Sequence, residues 1–402
     1  MKKVLIFSFN YYPQFVGGAE VAIKEITDRI APDDIEFHMV TLRFDKNLPE
    51  VEKIGNVLVH RIGFTKPDAS IEDLSQSPLK YNKYLYQFAA AFKALRLHAE
   101  HRYSGIWAMM AISCAVPAAI FKLFNPKVPY VLTLQEGDPV ENLERKAKPL
   151  WLLFTRGFTS ADIIQPISQY LADWAKKRSP KTPIETIYNG SNPRDFNPTF
   201  TEKDLENYKQ KLGKTDNDIY LVTTSRCVHK NGVDDVIRAL PLLPDNVSFI
   251  IVGGGAEEES YKKLAKELGV EKRARFIGQV DRTETPIYRA ISDIFVRPSR
   301  SEGFGISFAS AMAARLPIIA TQEGGIAEFL FDEKRNPNKP TTGWAVDKDS
   351  PDQIAQAVKD ILTHPDKVKI VTDNAYTLAH EKYNWDSIAK DMKDKIFTRI
   401  LK

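Results

Sequence analysis

Residues 297–328 read RPSRSEGFGISFASAMAARLPIIATQEGGIAE. A β-branched run ends just before Pro298, a glycine-bearing loop follows, and small apolar residues from Phe308 to Ala314 predict a helix. Ile318 to Thr321 predicts a second buried strand. A strand, a glycine loop and a helix in this order favour an anion site. The glycines admit a ligand to the backbone, and the first N–H groups of the helix point at negative charge.

Glu302 lies at the mouth of this loop. A carboxylate beside a phosphate site is electrostatically unfavourable unless it binds something neutral and rich in hydroxyl groups. A sugar attached to a diphosphate satisfies both halves. The alternative is an ordinary βαβ corner whose glycines only permit tight packing, and this stretch alone leaves that alternative open.

The composition is that of a globular enzyme. The chain has 402 residues, 43% hydrophobic and 27% charged, which predicts two domains. A net charge of +4 is compatible with anionic ligands or lipid headgroups, and no basic tract indicates nucleic-acid binding. Cys114 and Cys227 are the only cysteines, so we expect neither disulfides nor a metal site, and a reducing cytoplasm.

Two apolar stretches could be mistaken for targeting or membrane segments. MKKVLIFSF at the N-terminus lacks a cleavage site and predicts a first buried strand. Gly105 to Phe124 is the one transmembrane candidate, but Pro117 interrupts it and its length is marginal for a bilayer. We predict instead a strand that hands over to a helix near Ser113.

Strand and helix patterns alternate along both halves of the chain, which predicts two doubly wound, Rossmann-like parallel sheets. Ile184 to Tyr188 predicts the last strand of the first half, and a turn cluster, NGSNP, follows it. We place the domains at 1–190 and 191–384, with a final helix at 385–402. Ligands are expected at the carboxyl ends of the strands, in the crevice between the domains.

Arg226 and Lys230 follow the predicted strand Tyr220 to Ser225, the first of the second half. Two cations four residues apart at the end of a parallel strand suit a diphosphate, since Arg offers a planar fork and Lys a mobile charge. A solvated basic loop is the alternative. His229 between them is interpreted as a loop histidine.

The order of motifs resembles the family 4 retaining glycosyltransferases, which have the GT-B fold. The resemblance covers nearly the whole chain and is best from Tyr188 onward. It rests on Gly17-Gly18-Ala19-Glu20, Arg226-x-x-x-Lys230-x-Gly232, Gly253-Gly254-Gly255, Pro298-Ser-x-x-Glu302-Gly-Phe-Gly305, Ala311-Met312-Ala313, Pro317-Ile-Ile-Ala-Thr321, Gly324-Gly325-x-x-Glu328 and Tyr383-Asn-Trp385.

The resemblance implies a site for a nucleotide-sugar donor in the second domain and an acceptor site in the first. Arg226 and Lys230 would neutralise the diphosphate, and Glu302 would bind hydroxyls of the donor sugar. The final helix would cross back onto the first domain. The remaining expected donor contacts are the backbone of Gly303, Phe304, Gly305 and Ile306, the loop at Val280 for the base, and Gly17 and Gly18 across the cleft.

Two positions depart from the family pattern. The family usually has a second glutamate, which contacts the ribose, where this chain has Ser310. It also often has a histidine near the donor sugar, where Gln135 stands here. Since an amide cannot shuttle a proton, acceptor binding or base work is assigned to Glu136 or Asp138, with Gln135 beside them.

The family's chemistry needs neither a metal nor a cofactor. The sugar would pass to a glycan, a lipid-linked acceptor or a small molecule, and the leaving phosphate would take the acceptor's proton. Asp216-Asn217-Asp218 forms a D-x-D string of the kind that holds a metal in other glycosyltransferases. Because it precedes a strand rather than following one, we interpret it as a solvated turn.

The predicted helix from Tyr81 to Arg102 is aromatic early and basic late. One interpretation is an aromatic stripe that faces the core, with a solvated charged face. The other is docking on anionic lipid, which would suit a lipid-linked acceptor and a peripheral position on the cytoplasmic face of a membrane.

Other functions fit parts of the pattern. A nucleotide-sugar-binding protein without turnover is encouraged by Ser310 and Gln135, and an epimerase of the same fold would need acid and base groups around the donor sugar. A phosphorylase would carry a lysine-bound pyridoxal phosphate, for which no comparable signature is present. A dinucleotide oxidoreductase is disfavoured because no G-x-G-x-x-G follows the first strand.

Overall fold

A computed structural model describes residues 2–13, 16–70 and 72–401. The chain divides into two compact units, and each is described here by itself. Unit 1 comprises Met1–Asn189 and Trp385–Lys402, and unit 2 comprises Gly190–Asn384.

Within its described residues, unit 1 contains a sheet of seven strands, with β1 in the centre of the order β3-β4-β2-β1-β5-β6-β7. All neighbouring pairs are parallel except β3 with β4. The strands are β1 (Lys2–Phe7), β2 (Ile35–Leu42), β3 (Val51–Ile54), β4 (Val57–Ile62), β5 (Gly105–Met109), β6 (Tyr130–Leu134) and β7 (Ile163–Pro166).

The helices of unit 1 lie between these strands in the chain. They are α1 (Gly18–Thr27), α2 (Asn82–His101), α3 (Ala111–Phe124), α4 (Val140–Ala147), α5 (Trp151–Thr159) and α6 (Gln169–Arg178). Both faces of a doubly wound sheet are covered, so its central strands are mostly apolar. The last four residues of β1 are accordingly all buried.

Unit 2 contains a sheet of six strands among the residues described, and every pair in it is parallel. The order is β10-β9-β8-β11-β12-β13, so that the direction of winding reverses between β8 and β11. The strands are β8 (Ile219–Thr224), β9 (Val247–Val252), β10 (Ala274–Gly278), β11 (Ile294–Arg297), β12 (Ile318–Ala320) and β13 (Trp344–Ala345).

The helices of unit 2 are α7 (Pro193–Phe196), α8 (Glu202–Lys211), α9 (Val233–Ala239), α10 (Glu258–Glu267), α11 (Thr285–Ala290), α12 (Ile306–Ala313), α13 (Pro351–Thr363) and α14 (Pro365–Lys382). The chain then returns to unit 1 through α15 (Trp385–Asp391), a π-helical segment (Met392–Phe397) and α16 (Thr398–Ile400). The ring of Phe397 lies edge-on against Phe37 and Trp107, at centroid distances of 5.8 and 5.3 Å, so the C-terminal segment is part of the core of unit 1.

The two doubly wound parallel sheets predicted from the sequence are confirmed. The stretch from Gly105 to Phe124 is a strand followed by a helix, as expected. Among the residues described, no helix combines the length and the apolar character that crossing a bilayer requires.

The strand predicted at Ile184–Tyr188 is wrong. The segment runs beside β7 but forms only one isolated bridge, between Ile164 and Ile184. The ladder cannot continue because β7 ends at Pro166, whose ring nitrogen has no hydrogen to donate. The short strand β3 and the helix α4 were not predicted.

Candidate functional site

The reversal of winding in unit 2 brings two loops together. Because β8 and β11 are neighbours, the loops that leave their carboxyl ends lie side by side at the position where open α/β sheets bind ligands. The Arg300 N–H donates a hydrogen bond to the Lys230 carbonyl at 2.7 Å. Gly232 has φ +68°, and a Cβ there would lie 2.2 Å from the Pro298 carbonyl oxygen, so this close approach requires glycine.

The Glu302 carboxylate is held on both of its oxygens. Arg297 is the last residue of β11, and its Nη2 donates a hydrogen bond to Glu302 Oε2 at 2.5 Å. The Gly303 N–H donates to Glu302 Oε1 at 3.0 Å. The Glu302 side chain is 12% exposed. Each carboxylate oxygen can accept more than one hydrogen bond, so this fixed group can still accept hydroxyls of a ligand.

Arg297 itself was not identified from the sequence. Its guanidinium also donates to Asn231 Oδ1 and to Ser307 Oγ, both at 2.8 Å. The buried Asn231 donates in turn to the Arg226 carbonyl at 2.7 Å. One buried amide therefore couples the backbone of the Arg226 loop to the group that orients Glu302.

Burial lowers the pKa of the Arg297 guanidinium, and the nearby charge of Arg226 lowers it further, while Glu302 opposes both effects. The cation and the carboxylate thus stabilise each other inside the unit. A lone arginine at the end of an apolar strand was the only signal in the sequence that pointed to this contact.

Of the two predicted cations, Arg226 has an exposed side chain and Lys230 a partly exposed one. The back of their loop is held by a separate network, in which Arg300 donates to the His229 carbonyl and pairs with Asp234 and Asp235. Burial, followed by the charge of Asp234, raises the pKa of Asp235 to about 6. This network holds the backbone of the loop at His229, and the Arg226 side chain is exposed.

The predicted backbone contacts at residues 303–306 are only partly available. The Gly303 N–H is already bonded to Glu302, and the Phe304 side chain is fully buried against Phe329 and Tyr383. Phe304 can therefore contribute only its backbone. Gly305, with φ +86°, turns the chain into α12, which begins at Ile306.

Gly324 and Gly325 pack directly against the backbone of the Glu302 loop. The Gly325 N–H donates to the Glu302 carbonyl at 3.0 Å. A Cβ on Gly324 would lie 2.1 Å from that same oxygen, and one on Gly325 would lie 2.0 Å from the Gly303 carbonyl oxygen. The motif that follows β12 thus supports the backbone of Glu302 directly.

Ser310 lies inside unit 2, beside the start of α7. Its side chain is buried, and its hydroxyl accepts the Asn192 N–H at 2.9 Å and bonds to Asp195. Asp195 is held by both ends of the Arg289 guanidinium at 2.8 Å. The geometry therefore favours an internal structural role for Ser310. Val280 is half-buried in the loop after β10, and its contact with a base stays a prediction.

In unit 1, Gly17 and Gly18 start α1. The Gly17 N–H donates to Glu20 Oε2 at 2.9 Å, and Glu20 is buried. The conspicuous glutamate of this motif is thus a capping residue, which fixes where the first helix begins.

Gln135 forms a reciprocal pair with Asn189. The Asn189 amide donates to Gln135 Oε1 at 3.0 Å, and the Gln135 amide donates back at 3.3 Å. Gln135 is half-buried at the carboxyl end of β6, and Asp138 lies nearby with a partly exposed carboxylate 3.4 Å from Lys146. Both therefore remain accessible for the predicted acceptor contacts.

Glu136 is a different case. It has no exposed surface, and its carboxylate accepts the Ile112 N–H at 3.2 Å and the Gln135 N–H at 3.0 Å. Burial raises its pKa to about 7, although these backbone donors oppose the shift. The acceptor-binding role predicted for Glu136 is not supported by this geometry, because the carboxylate caps the start of α3 inside the unit.

Comparison with known proteins agrees with the motifs. The family model described as glycosyl transferases group 1 matches residues 204–378, and that of glycosyltransferase family 4 matches residues 16–195. The chain is a family 4 glycosyltransferase with the GT-B fold.

Two curated relatives illustrate the range of similarity. This glycosyltransferase is 26% identical to an uncharacterized glycosyltransferase of Methanocaldococcus jannaschii, over 97% of its own length and 96% of the relative's. It is 30% identical to a GDP-mannose-dependent alpha-(1-6)-phosphatidylinositol monomannoside mannosyltransferase of Mycobacterium tuberculosis, over 58% of its own length and 61% of the relative's.

Solved structures share the fold over the whole chain. Sucrose-phosphate synthase from Thermosynechococcus elongatus has a TM-score of 0.80 at 20% identity, covering 100% of this chain and 99% of that one. The Anabaena protein HepE, in complex with UDP-glucose, has a TM-score of 0.75 at 20% identity, covering 99% and 100%.

The D-x-D string of this glycosyltransferase is part of a turn before β8. Asp218 accepts hydrogen bonds from the Thr215 N–H and hydroxyl, both at 2.8 Å, and these bonds lower the pKa of its carboxyl. The string therefore lies at the amino end of the strand, opposite to the end where the ligand loops leave the sheet.

Proposed function

We propose that this glycosyltransferase moves a hexosyl group from a nucleoside diphosphate sugar to an acceptor hydroxyl, with retention of anomeric configuration. The observation that supports this best is the fixed carboxylate of Glu302. Arg297 and the Gly303 N–H hold it beside the loop of Arg226 and Lys230. The carboxylate that would bind the donor sugar and the cations that would bind the diphosphate therefore lie on two loops joined by hydrogen bonds.

The chemistry requires no protein nucleophile. The bond between the anomeric carbon and the diphosphate oxygen breaks, and its electron pair leaves with the diphosphate. Arg226, Lys230 and the amino end of α12 stabilise that charge. The acceptor hydroxyl attacks from the same face, and its proton passes to the leaving phosphate, so no metal or cofactor is needed.

For the donor we propose UDP or GDP as the nucleotide. A mannosyltransferase relative is named for GDP-mannose, and a structural neighbour holds UDP-glucose. The acceptor is a glycan, a lipid-linked sugar or a small molecule, bound by unit 1 near Gln135 and Asp138. We place the protein in the cytoplasm, because its two cysteines are buried and unpaired.

A panel of UDP- and GDP-sugars tests the proposal, with donor hydrolysis and transfer to added acceptors as the readouts. Lys230→Ala and Glu302→Ala should each lose activity. Lys263→Ala, which removes an exposed cation on α10, is the matched control and should keep it.

A nucleotide-sugar-binding protein without turnover is the second candidate, since Ser310 is buried where the family usually has a glutamate. Tight binding of one nucleotide sugar with neither hydrolysis nor transfer would favour it. Conversion of the donor into its epimer would favour an epimerase. Binding of none would refute all three.

A further inference from the structure

Helix α2 leaves large apolar side chains in solvent along one side. Tyr81, just before the helix, and Leu85, Phe88 and Phe92 within it recur three or four residues apart, with Tyr84 beside Leu85, so they form one stripe. Phe64 extends the stripe beside the first turn of the helix. We call the set the apolar stripe: Phe64, Tyr81, Tyr84, Leu85, Phe88 and Phe92. Tyr84 is 74% exposed and Phe92 65%.

The core-facing interpretation of this helix is therefore wrong for most of its aromatic residues. The buried side of α2 consists of Asn82, Tyr86, three alanines and Leu97. Small residues let the helix approach the sheet closely, and the bulky ones are left outside. Exposed apolar patches of this kind mark interaction surfaces in soluble proteins.

The charged side chains within the segment that carries the stripe have one sign, and the first carboxylate beyond it, that of Glu100, lies 3.6 Å from Arg96. Residues 79–99 contain Lys80, Lys83, Lys93 and Arg96 but no aspartate or glutamate. The Lys80 ammonium lies 5.2 Å from the centroid of the Tyr81 ring. A surface with apolar and aromatic side chains flanked by cations is complementary to an anionic lipid interface, where tyrosine rings and lysines favour the headgroup level.

A cavity of about 240 Å³ opens beside the stripe. Its lining is mostly apolar and includes Leu42, Ile62, Phe64 and Leu85. Phe64 is fixed at its edge, because its N–H donates to Asn82 Oδ1 at 2.8 Å and its carbonyl accepts from Asn82 Nδ2 at 2.9 Å. The cavity lies at the carboxyl ends of β2 and β4, and it offers room for the end of a lipid chain.

We propose that the apolar stripe and the four cations of residues 79–99 dock unit 1 on the surface of an anionic lipid bilayer. The helix lies along the surface, over a stripe of roughly 16 Å between Tyr81 and Phe92 at 1.5 Å per residue. The aromatic rings and Leu85 enter the boundary between headgroups and acyl chains, and the cations meet the lipid phosphates. The docking does not depend on the proposed transfer reaction, because none of the stripe residues or cations is among the residues proposed to bind donor or acceptor.

Vesicle flotation of the full chain tests the proposal. We expect binding to phosphatidylcholine vesicles with about 30% phosphatidylglycerol, weaker binding to phosphatidylcholine alone, and loss at high salt. The double variant Lys80→Ala/Lys83→Ala should bind the anionic vesicles roughly 30-fold more weakly. The variant Phe88→Ser/Phe92→Ser should weaken binding to them by about tenfold or more.

Ile370→Ser is the matched control, since Ile370 is 63% exposed on α14 of unit 2. It should float as the unchanged protein does. Failure of the unchanged chain to bind anionic vesicles, or equal binding by the stripe variants, would overturn the proposal. If the stripe variants instead convert a dimer to a monomer in sedimentation and leave flotation unaltered, the surface joins two copies of the chain and the proposal is also wrong.

Discussion

The buried carboxylate of Glu136 gives unit 1 a pH dependence that one substitution should remove. Its side chain has no exposed surface, and burial raises its pKa from 4.5 to about 7. Below about pH 4.5 the group is protonated in both the folded and the unfolded chain. Between the two pKa values the folded chain binds one more proton, so stability falls as pH rises through this window.

The magnitude follows from the shift. One pKa unit corresponds to about 1.4 kcal/mol. Because part of the shifted range lies below pH 5, ionisation of Glu136 should lower the free energy of unfolding by about 2.5 kcal/mol between roughly pH 5 and pH 8. Glu136→Gln cannot ionise and mimics the protonated form. The stability of the variant relative to the unchanged protein should therefore improve by about that amount across the same interval.

Urea unfolding followed by tryptophan fluorescence is a suitable assay, because most of the tryptophans lie in unit 1 (Trp107, Trp151, Trp174 and Trp385, against Trp344 in unit 2). Taking the difference between variant and unchanged protein removes the titration of all other groups. Glu141→Gln, an exposed glutamate at the start of α4, is the matched control. Parallel stability profiles for Glu136→Gln and the unchanged protein would refute the reasoning.

Three further outcomes are expected. Burial lowers the pKa of His60 to about 4. The free energy of unfolding should therefore fall by about 3 kcal/mol as the pH drops from about 6.5 to 4, and His60→Leu should flatten this decline in acid-unfolding curves. An unchanged slope in the variant would contradict the prediction. Arg297→Lys keeps the charge but not the fork that holds Glu302 and Asn231. The Arg297→Lys variant should bind a nucleotide sugar roughly 10- to 100-fold more weakly in titration calorimetry, whereas its affinity for the nucleotide alone should change much less. Equal losses of affinity for both ligands would count against the role of Glu302. Gly324→Ala should destabilise unit 2 by about 1–3 kcal/mol more than Gly213→Ala in thermal unfolding. Both glycines have φ near +60°, but only a Cβ at position 324 would meet a backbone oxygen, that of Glu302. Equal effects of the two substitutions would argue against this contact.

The sequence predicted those parts of the fold and site that depend on local pattern. The spacing of apolar residues along the chain, together with the residues typical of turns, located the strands of the two parallel sheets. The positions of Arg226, Lys230 and Glu302 followed from where strands end, since carboxyl ends of neighbouring strands collect the ligand residues. Their roles as donor-binding residues stay predictions.

Contacts between distant segments could not be predicted in this way. Arg297 reads as the polar end of a strand, and only the pairing of β11 with β8 brings it to Asn231. Glu136 follows β6 as an acceptor residue would, yet its partner Ile112 belongs to another crossover. Burial of Ser310 likewise depends on how residues 192–195 return over α12.

The central claim is that Arg226 and Lys230 bind the diphosphate of a nucleotide-sugar donor, and titration calorimetry with UDP and GDP tests it most directly. We predict that the unchanged chain binds one of the two nucleotides without added metal. Lys230→Ala should bind it roughly 10- to 100-fold more weakly, the loss expected for a charge-assisted contact. Equal affinity of the variant and the unchanged protein, or no binding of either nucleotide, would contradict the account.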